Sequence, residues 1–214
     1  MHLEVENLSK SIKGIEVLKD INLTMKGGRI YGLRGKNGSG KTMFMRCVCG
    51  LIHPTKGEIR INDERLGKDI DFPRSAGVLI ENPAFLNAYT GFENLRLLAN
   101  ISQRADDQAI RETIAAVGLN PDDKRKYGKY SLGMKQRLGI ACALMESPDL
   151  ILLDEPINAL DQKGVELVKK ILLDRKEQGK LIIVACHDNQ ELEYLSDTIY
   201  KVEEGRITLE EAYA

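Results

Sequence analysis

Gly35-Lys36-Asn37-Gly38-Ser39-Gly40-Lys41-Thr42 fits G-x-x-x-x-G-K-[ST] at every fixed position. Its glycines reach backbone angles that other residues resist, so successive N–H groups can converge on a phosphate. A helix beginning near Thr42 would point its N-terminus at the same anion. Lys41 would then reach the β- and γ-oxygens, with the Thr42 hydroxyl on Mg²⁺. The chemistry implied is binding of ATP or GTP. Far downstream, the apolar run Leu150-Ile151-Leu152-Leu153 ends in Asp154-Glu155-Pro156. An isolated Asp-Glu at a strand end is usually a solvated turn. Beside a phosphate loop the pair gains a role. Asp154 would hold Mg²⁺ directly or through water, and Glu155 would orient or deprotonate an attacking water.

Those groups need a scaffold that brings two distant chain segments together. Residues 3–7 and 16–25 alternate as strands, with the turn Gly27-Gly28 after the second. Residues 29–33 form a third strand, followed by the glycine-rich turn and a helix from Thr42 to near Gly50. Residues 58–62 and 76–81 add further strands. From 88 to 146 the pattern becomes helical. Phe92, Leu95, Leu98, Ala99 and Ile101 fall near one face of a helix over 91–101. A second helix spans 106–117 with Gly118 and Pro121 beyond it, and a third runs from Ser131 to Glu146. Alternation then resumes: strand 150–154, helix 162–178, strand 181–185, a short helix, strand 198–202 and the turn Glu204-Gly205. Apolar strands alternating with amphipathic helices predict an α/β fold with a buried, mostly parallel sheet.

Composition narrows the function classes. Lysine plus arginine is 31 and aspartate plus glutamate 32, so 31 − 32 gives a formal charge of −1. That lacks the overall basic excess of a nucleic-acid binder. The longest apolar runs, Ile140–Met145 and Leu181–Cys186, are far shorter than the ~20 residues a membrane helix needs. The start, Met1-His2-Leu3-Glu4-Val5, has no basic end followed by an apolar stretch, so the expected location is inside the cell. Cys47, Cys49, Cys142 and Cys186 lack metal-ligand spacing and read as free, largely buried thiols.

Tyr130-Ser131-Leu132-Gly133-Met134-Lys135-Gln136-Arg137, just ahead of Asp154-Glu155, resembles the signature motif of ABC-type ATPases, the nucleotide-binding subunits of ABC transporters. Ile157-Asn158-Ala159-Leu160-Asp161 is similar to that family's D-loop, and His187 to its switch histidine. The resemblance covers practically the whole chain in the right order. It implies a P-loop NTPase core with an N-terminal antiparallel β subdomain and an inserted helical lobe. Residues 1–214 would form one such unit, with 1–87 and 147–214 as core and 88–146 as lobe. The catalytic residues implied are Glu155, His187 and Lys41; the nucleotide site is Gly35 to Thr42 with Met43, Ile12 and Val17; Thr42, Glu81 and Asp154 serve Mg²⁺. Ser131, Gly133 and Asp161 would contact nucleotide held by a second ATPase subunit, in a head-to-tail homodimer or heterodimer. A separate transmembrane permease would dock around residues 81–93, where Phe85, Leu86 and Tyr89 are candidate anchors or, equally, packing for the lobe. The implied location is cytoplasmic, peripheral on the inner face of the cell membrane, with no nucleic-acid partner.

Four positions depart from the family's common form. Glu81 stands where glutamine is usual, and Leu132 and Met134 replace the glycine and glutamine of the signature. The aromatic that covers adenine aligns with Ile12, which offers no aromatic stacking. Glu81 together with Ser131-Leu132-Gly133-Met134-Lys135-Gln136-Arg137 resembles exporter ATPases of the bacitracin-resistance and lantibiotic-immunity group; a more general drug or lipid exporter is the alternative cargo reading. Glu81 and Ile12 also motivate a regulatory module with little turnover, which the intact Glu155 argues against. A soluble ATPase acting on ribosomes or DNA generally carries two cassettes or long coiled-coil insertions, and this chain has room for one cassette.

Overall fold

The computed structural model describes residues 1–186 and 189–212. The elements are β1 (His2–Ile12), β2 (Ile15–Lys26), β3 (Arg29–Arg34), α1 (Lys41–Val48), β4 (Lys56–Ile61), β5 (Glu64–Arg65) and β6 (Ala76–Leu79). Then come α2 (Gly91–Ser102), α3 (Asp107–Ala116), a 3₁₀ turn (Tyr127–Lys129) and α4 (Leu132–Leu144). The rest is β7 (Leu150–Asp154), α5 (Gln162–Glu177), β8 (Leu181–Cys186), α6 (Asn189–Leu195), β9 (Thr198–Glu203) and β10 (Arg206–Ala212).

Two sheets result. An antiparallel sheet runs β2-β1-β4-β5, and a six-stranded sheet runs β10-β9-β3-β8-β7-β6. In the second, β9, β3, β8, β7 and β6 are parallel and β10 pairs antiparallel with β9. The continuous apolar runs of β7 and β8 are explained by burial on both faces. Leu150 and Leu152 join one core with Phe44 of α1 and Leu3 and Ile59 of the antiparallel sheet. Their neighbours Ile151 and Leu153 join the opposite core with Leu138 of α4, Leu172 of α5 and Leu192 of α6. The period of two thus feeds both cores from one strand. No disulfide joins the four cysteines among the described residues, and three of them are buried, as expected.

Helix starts follow local side-chain chemistry. Thr90 and Glu93 form a reciprocal capping box on α2, with Glu93 N–H donating to Thr90 Oγ1 (3.2 Å) and Thr90 N–H to Glu93 Oε2 (2.6 Å). Ser131 caps α4, accepting from Met134 N–H, and Asp161 caps α5, accepting from Gly164 N–H. Each side-chain oxygen satisfies a backbone donor that the helix leaves over.

Some expectations are corrected. The expected strand 3–7 is the middle of a longer, bulged β1. The strand expected to reach Glu81 ends at Leu79, because Glu81 takes φ +61° and Pro83 follows. β10 went unrecognised: it is an edge strand with only Ile207 buried, so its alternation is faint. In α2 only Leu95 and Ala99 of the apolar set are buried, Phe92 is half-buried, and Leu98 and Ile101 are exposed. At about 100° per residue Ile101 lies about 120° around the helix from Leu95, outside the covered stripe.

Gly77 of β6 lies hard against α4: a Cβ there would meet the Ala143 carbonyl oxygen at 1.8 Å. Gly77→Ala is expected to lower stability by at least about 1–3 kcal/mol, read as a fall in the urea midpoint at unchanged slope. Glu93, held by the Thr90 N–H and Lys126, has its carboxyl lowered to about 2. A carboxyl lowered in the fold contributes stability above its unfolded value, lost as pH falls toward 2. Glu93→Gln should therefore flatten the acid limb of a thermal-midpoint-versus-pH curve between about pH 4.5 and 2.

Candidate active site

The parallel strands deliver their carboxyl ends to one edge of the sheet, where open α/β sheets bind ligands. β3 and β7 are separated by β8, with Arg34 opposite Cys186 and Asp154 opposite Ala185. The turn 35–40 and the end of β7 therefore face each other across one strand, and the residues after β6 join them from beyond β7. The cavity between them measures about 650 Å³. Lys36 to Thr42, Met43, Val17, Glu81, Asp154 and Glu155 line it, together with Ile15, Gln136, Asn158 and the turn Glu204-Gly205. Gly40 turns the chain into α1 at φ +118°, a conformation reserved in practice for glycine.

At the base of the cavity Thr42 Oγ1 donates to Asp154 Oδ2 (2.5 Å). The Lys41 ammonium is buried. It donates to the carbonyls of Gly35 (2.6 Å) and Lys36 (3.3 Å) and lies 3.9 Å from Glu155 Oε1. Burial pushes the Asp154 carboxyl above its usual range; the Thr42 hydroxyl and Lys41 oppose that rise, while Glu155 and Glu81 add to it. Glu155 itself takes φ +50°, with its N–H on the Ala185 carbonyl at 2.8 Å. A non-glycine residue held there stores strain of the kind found at working sites.

The oxygen set suits a hard cation. Thr42 and Asp154 present a hydroxyl and a carboxylate side by side, and Mg²⁺ usually takes one or two carboxylates plus substrate phosphates. Among the described residues no group of three or more acidic, histidine or cysteine side chains could hold a metal unaided. Phosphate oxygens would have to complete the shell. Glu81, also nominated for the metal, lines the cavity but lies on Arg46, with Oε1 2.5 Å from Nη2.

The remaining nominated residues are distributed as follows. Val17 and Met43 line the cavity, but Ile12 does not; Ile15, opposite it across the hairpin turn, takes that place and is 70% exposed. Ser131, Gly133 and Asp161 lie outside the lining and have partners in their own chain. Ser131 is a cap, a Cβ on Gly133 would meet the Ala159 carbonyl at 2.8 Å, and Asp161 pairs with Arg137 at 2.6 Å. Phe85 packs edge-on against Tyr127, ring centroids 5.3 Å apart, while Leu86 and Tyr89 are exposed. His187 lies outside the described residues.

Sequence reasoning missed Gln136, visible only as a letter within the signature. It is buried on α4 and its Nε2 donates to the carbonyls of Glu155 (3.0 Å) and Pro156 (3.1 Å). Flanked by Lys135 and Arg137, it reads in the sequence as one more polar position of the helix start, with no local sign of burial.

Comparison with known proteins now bears on this geometry. The family model described as ABC transporter matches residues 18–158. An uncharacterized ABC transporter ATP-binding protein of Bacillus subtilis, YybJ, is 48% identical over 209 residues, covering 98% of this chain and 96% of its own. The bacitracin transport ATP-binding protein BcrA of Enterococcus faecalis is 38% identical, covering 97% and 68%. The lantibiotic transport ATP-binding protein SrtF of Streptococcus pyogenes is 36% identical, covering 99% and 91%. Among solved structures, a dimeric post-hydrolysis state of the ATP-binding cassette MJ0796 with ADP and Pi superposes at TM-score 0.86 and 25% identity, covering 99% of both chains. No helix among the described residues is long and apolar enough to cross a membrane. With the signature helix, the phosphate turn and the acidic strand end assembled on that fold, the chain belongs to the ABC transporter family as an ATP-binding subunit of its ATPase cassettes.

Proposed function

We propose that this chain hydrolyses ATP to drive export of a peptide antibiotic or lantibiotic through a separate membrane permease, working as one of a pair of ATPase subunits at the inner face of the cell membrane. The observation that carries the reading is the convergence of Lys41, Thr42, Asp154 and Glu155 in one cavity. BcrA and SrtF, named for bacitracin and lantibiotic transport, support the cargo class. The unit spans 1–214, with 88–146 as the lobe presenting Ser131.

Bound Mg²⁺ would neutralise phosphate charge and polarise the γ-phosphoryl group. Thr42 and Asp154 would hold it, and Glu81 comes second because a guanidinium already engages it. The Lys41 ammonium, now on two backbone carbonyls, would turn to the triphosphate. Glu155 would take the proton of the attacking water, at a strand end where its backbone is held by Ala185 and Gln136. His187 would contact the γ-phosphate, and Ser131, Gly133 and Asp161 would face the partner's nucleotide. Ile15, with Val17, would cover the base with aliphatic surface.

Gln136 gives α4 a direct hold on Glu155. A shift of the Ser131 end of the helix, as a partner's nucleotide engages it, would reach the base through two hydrogen bonds.

Glu155→Gln is expected to lower kcat by about 10²–10⁴ while retaining ATP binding, and to accumulate an ATP-dependent dimer in light scattering. Undiminished turnover defeats the assignment of the base; a wild type that binds Mg-ATP tightly without turnover, even with its permease reconstituted, favours the regulatory module instead. Gln136→Met strands two carbonyls, costing about 1–3 kcal/mol, and should cut kcat at least about tenfold with KM for ATP nearly unchanged. A rise in KM at constant kcat would show that Gln136 serves binding rather than the placement of Glu155.

A further inference from the structure

Five carboxylates line the cavity that takes a triphosphate, and three of them, Asp154, Glu155 and Glu81, lie at or just beyond the carboxyl ends of β7 and β6. Each negative charge there repels an entering polyanion, and more strongly than in bulk water. Two are answered from within: Asp154 by Thr42 and Glu155 by Lys41. The third is answered by a residue outside the lining. Arg46 Nη2 lies 2.5 Å from Glu81 Oε1, with the Arg46 side chain 33% exposed and that of Glu81 63%.

The placement follows from the helix. Arg46 is four residues after Thr42 on α1, hence one turn further along the same face. The hydroxyl of Thr42 meets Asp154, and one turn on, the guanidinium of Arg46 meets Glu81. The backbone at Glu81 is in the left-handed region at φ +61°, where a glutamate is uncommon and needs compensation. The exposed ends of most surface pairs are free to drift. Here α1 fixes where the Arg46 side chain starts, and the left-handed turn at Glu81 sets where its carboxylate starts.

We infer that Arg46 is a positioning residue for nucleotide binding: its guanidinium neutralises Glu81 and keeps that carboxylate on the α1 side, so that a triphosphate can enter a cavity already carrying Asp154 and Glu155. The inference rests on the reading of the cavity as an ATP site and deepens it by naming the group that answers one of its carboxylates. It also gives the Glu81 departure a structural counterpart in this chain. A neutral glutamine at 81 would need no such cation.

The test is a double-mutant cycle on ATP affinity, measured by calorimetry in EDTA so that neither metal nor turnover enters. Arg46→Gln should weaken ATP binding about fivefold or more at low ionic strength, and less at 0.5 M salt, as expected for an unscreened charge. Glu81→Gln should bind at least as well as wild type. The double variant should return to within about twofold of Glu81→Gln, the signature of a coupled pair. Arg46→Lys, keeping the charge but losing the planar fork, should fall between wild type and Arg46→Gln. Unchanged affinity in Arg46→Gln, or a double variant as weak as Arg46→Gln, overturns the inference. Should Arg46→Gln fail to fold, as judged by circular dichroism, the double variant against Glu81→Gln decides the matter. Equal affinities support the pair, and a fivefold deficit overturns it. None of these measurements needs hydrolysis or a permease, so failure of the transport reading would leave them standing.

Discussion

The hydrogen bond between Thr42 and Asp154 is the contact on which the site depends, because it joins the first residues of α1 to the end of β7 across an intervening strand. It exists only if β3, β8 and β7 are parallel and in register, with Asp154 opposite Ala185, one residue short of the Arg34–Cys186 pair. A slip of one residue in β7 would send Asp154 to the other face of the sheet. The two cores prevent that slip. Leu150 and Leu152 are committed to one, Ile151 and Leu153 to the other, so both faces fix the register at once.

That arrangement buries charge, and the fold bears the cost. Asp154 is nearly inaccessible, and its carboxyl is pushed up chiefly by burial. Lys41 is also buried, on two backbone carbonyls and near Glu155. Buried ionic groups of this kind contribute little net stability even when paired. Their compensation is ligand binding: a cation and a triphosphate would satisfy both residues more fully than the protein does. Left-handed backbone at Glu81 and Glu155 belongs to the same economy. Glu204, also in the left-handed region, lines the same cavity.

How much of this was legible in the sequence varied with the physics behind each element. The phosphate turn, β7 and the start of α4 were read closely because each is set by local chemistry: glycine freedom, an unbroken apolar run, a serine cap. The exposed stripe on α2 was misjudged because helical periodicity tells which residues share a face, not how wide a face the neighbours cover. β10 was missed because an edge strand with one buried residue carries almost no pattern. Ile12 was nominated by alignment alone; its cross-strand partner Ile15 lines the cavity and Ile12 does not, a difference set by the hairpin's placement rather than by residue type. Gln136 and Arg46 were unreadable for a different reason. Their partners, the Glu155 carbonyl and the Glu81 carboxylate, are 19 and 35 residues away, and no local rule links them.

The residues resembling the family's signature raise a last point about where the reaction can occur. Within one chain Ser131, Gly133 and Asp161 are structurally occupied: one caps α4, one lies against Ala159, one caps α5 and pairs with Arg137. None lines the cavity holding Lys41 and Glu155. Nothing in those contacts wastes the features that suit an anion, since Ser131 is exposed and begins a thirteen-residue helix with free N–H groups at its end. The proposed half-site would thus be formed before any nucleotide arrives. The proposed pairing of two subunits requires only that such a preformed end approach another copy's phosphate turn as a rigid piece. Gln136, rooted in the same helix and bonded to the Glu155 carbonyl, would make that approach felt at the Glu155 backbone. Positioning of the base and recognition across the pair would then be one movement of α4, so that a chain alone would bind nucleotide readily and cleave it slowly.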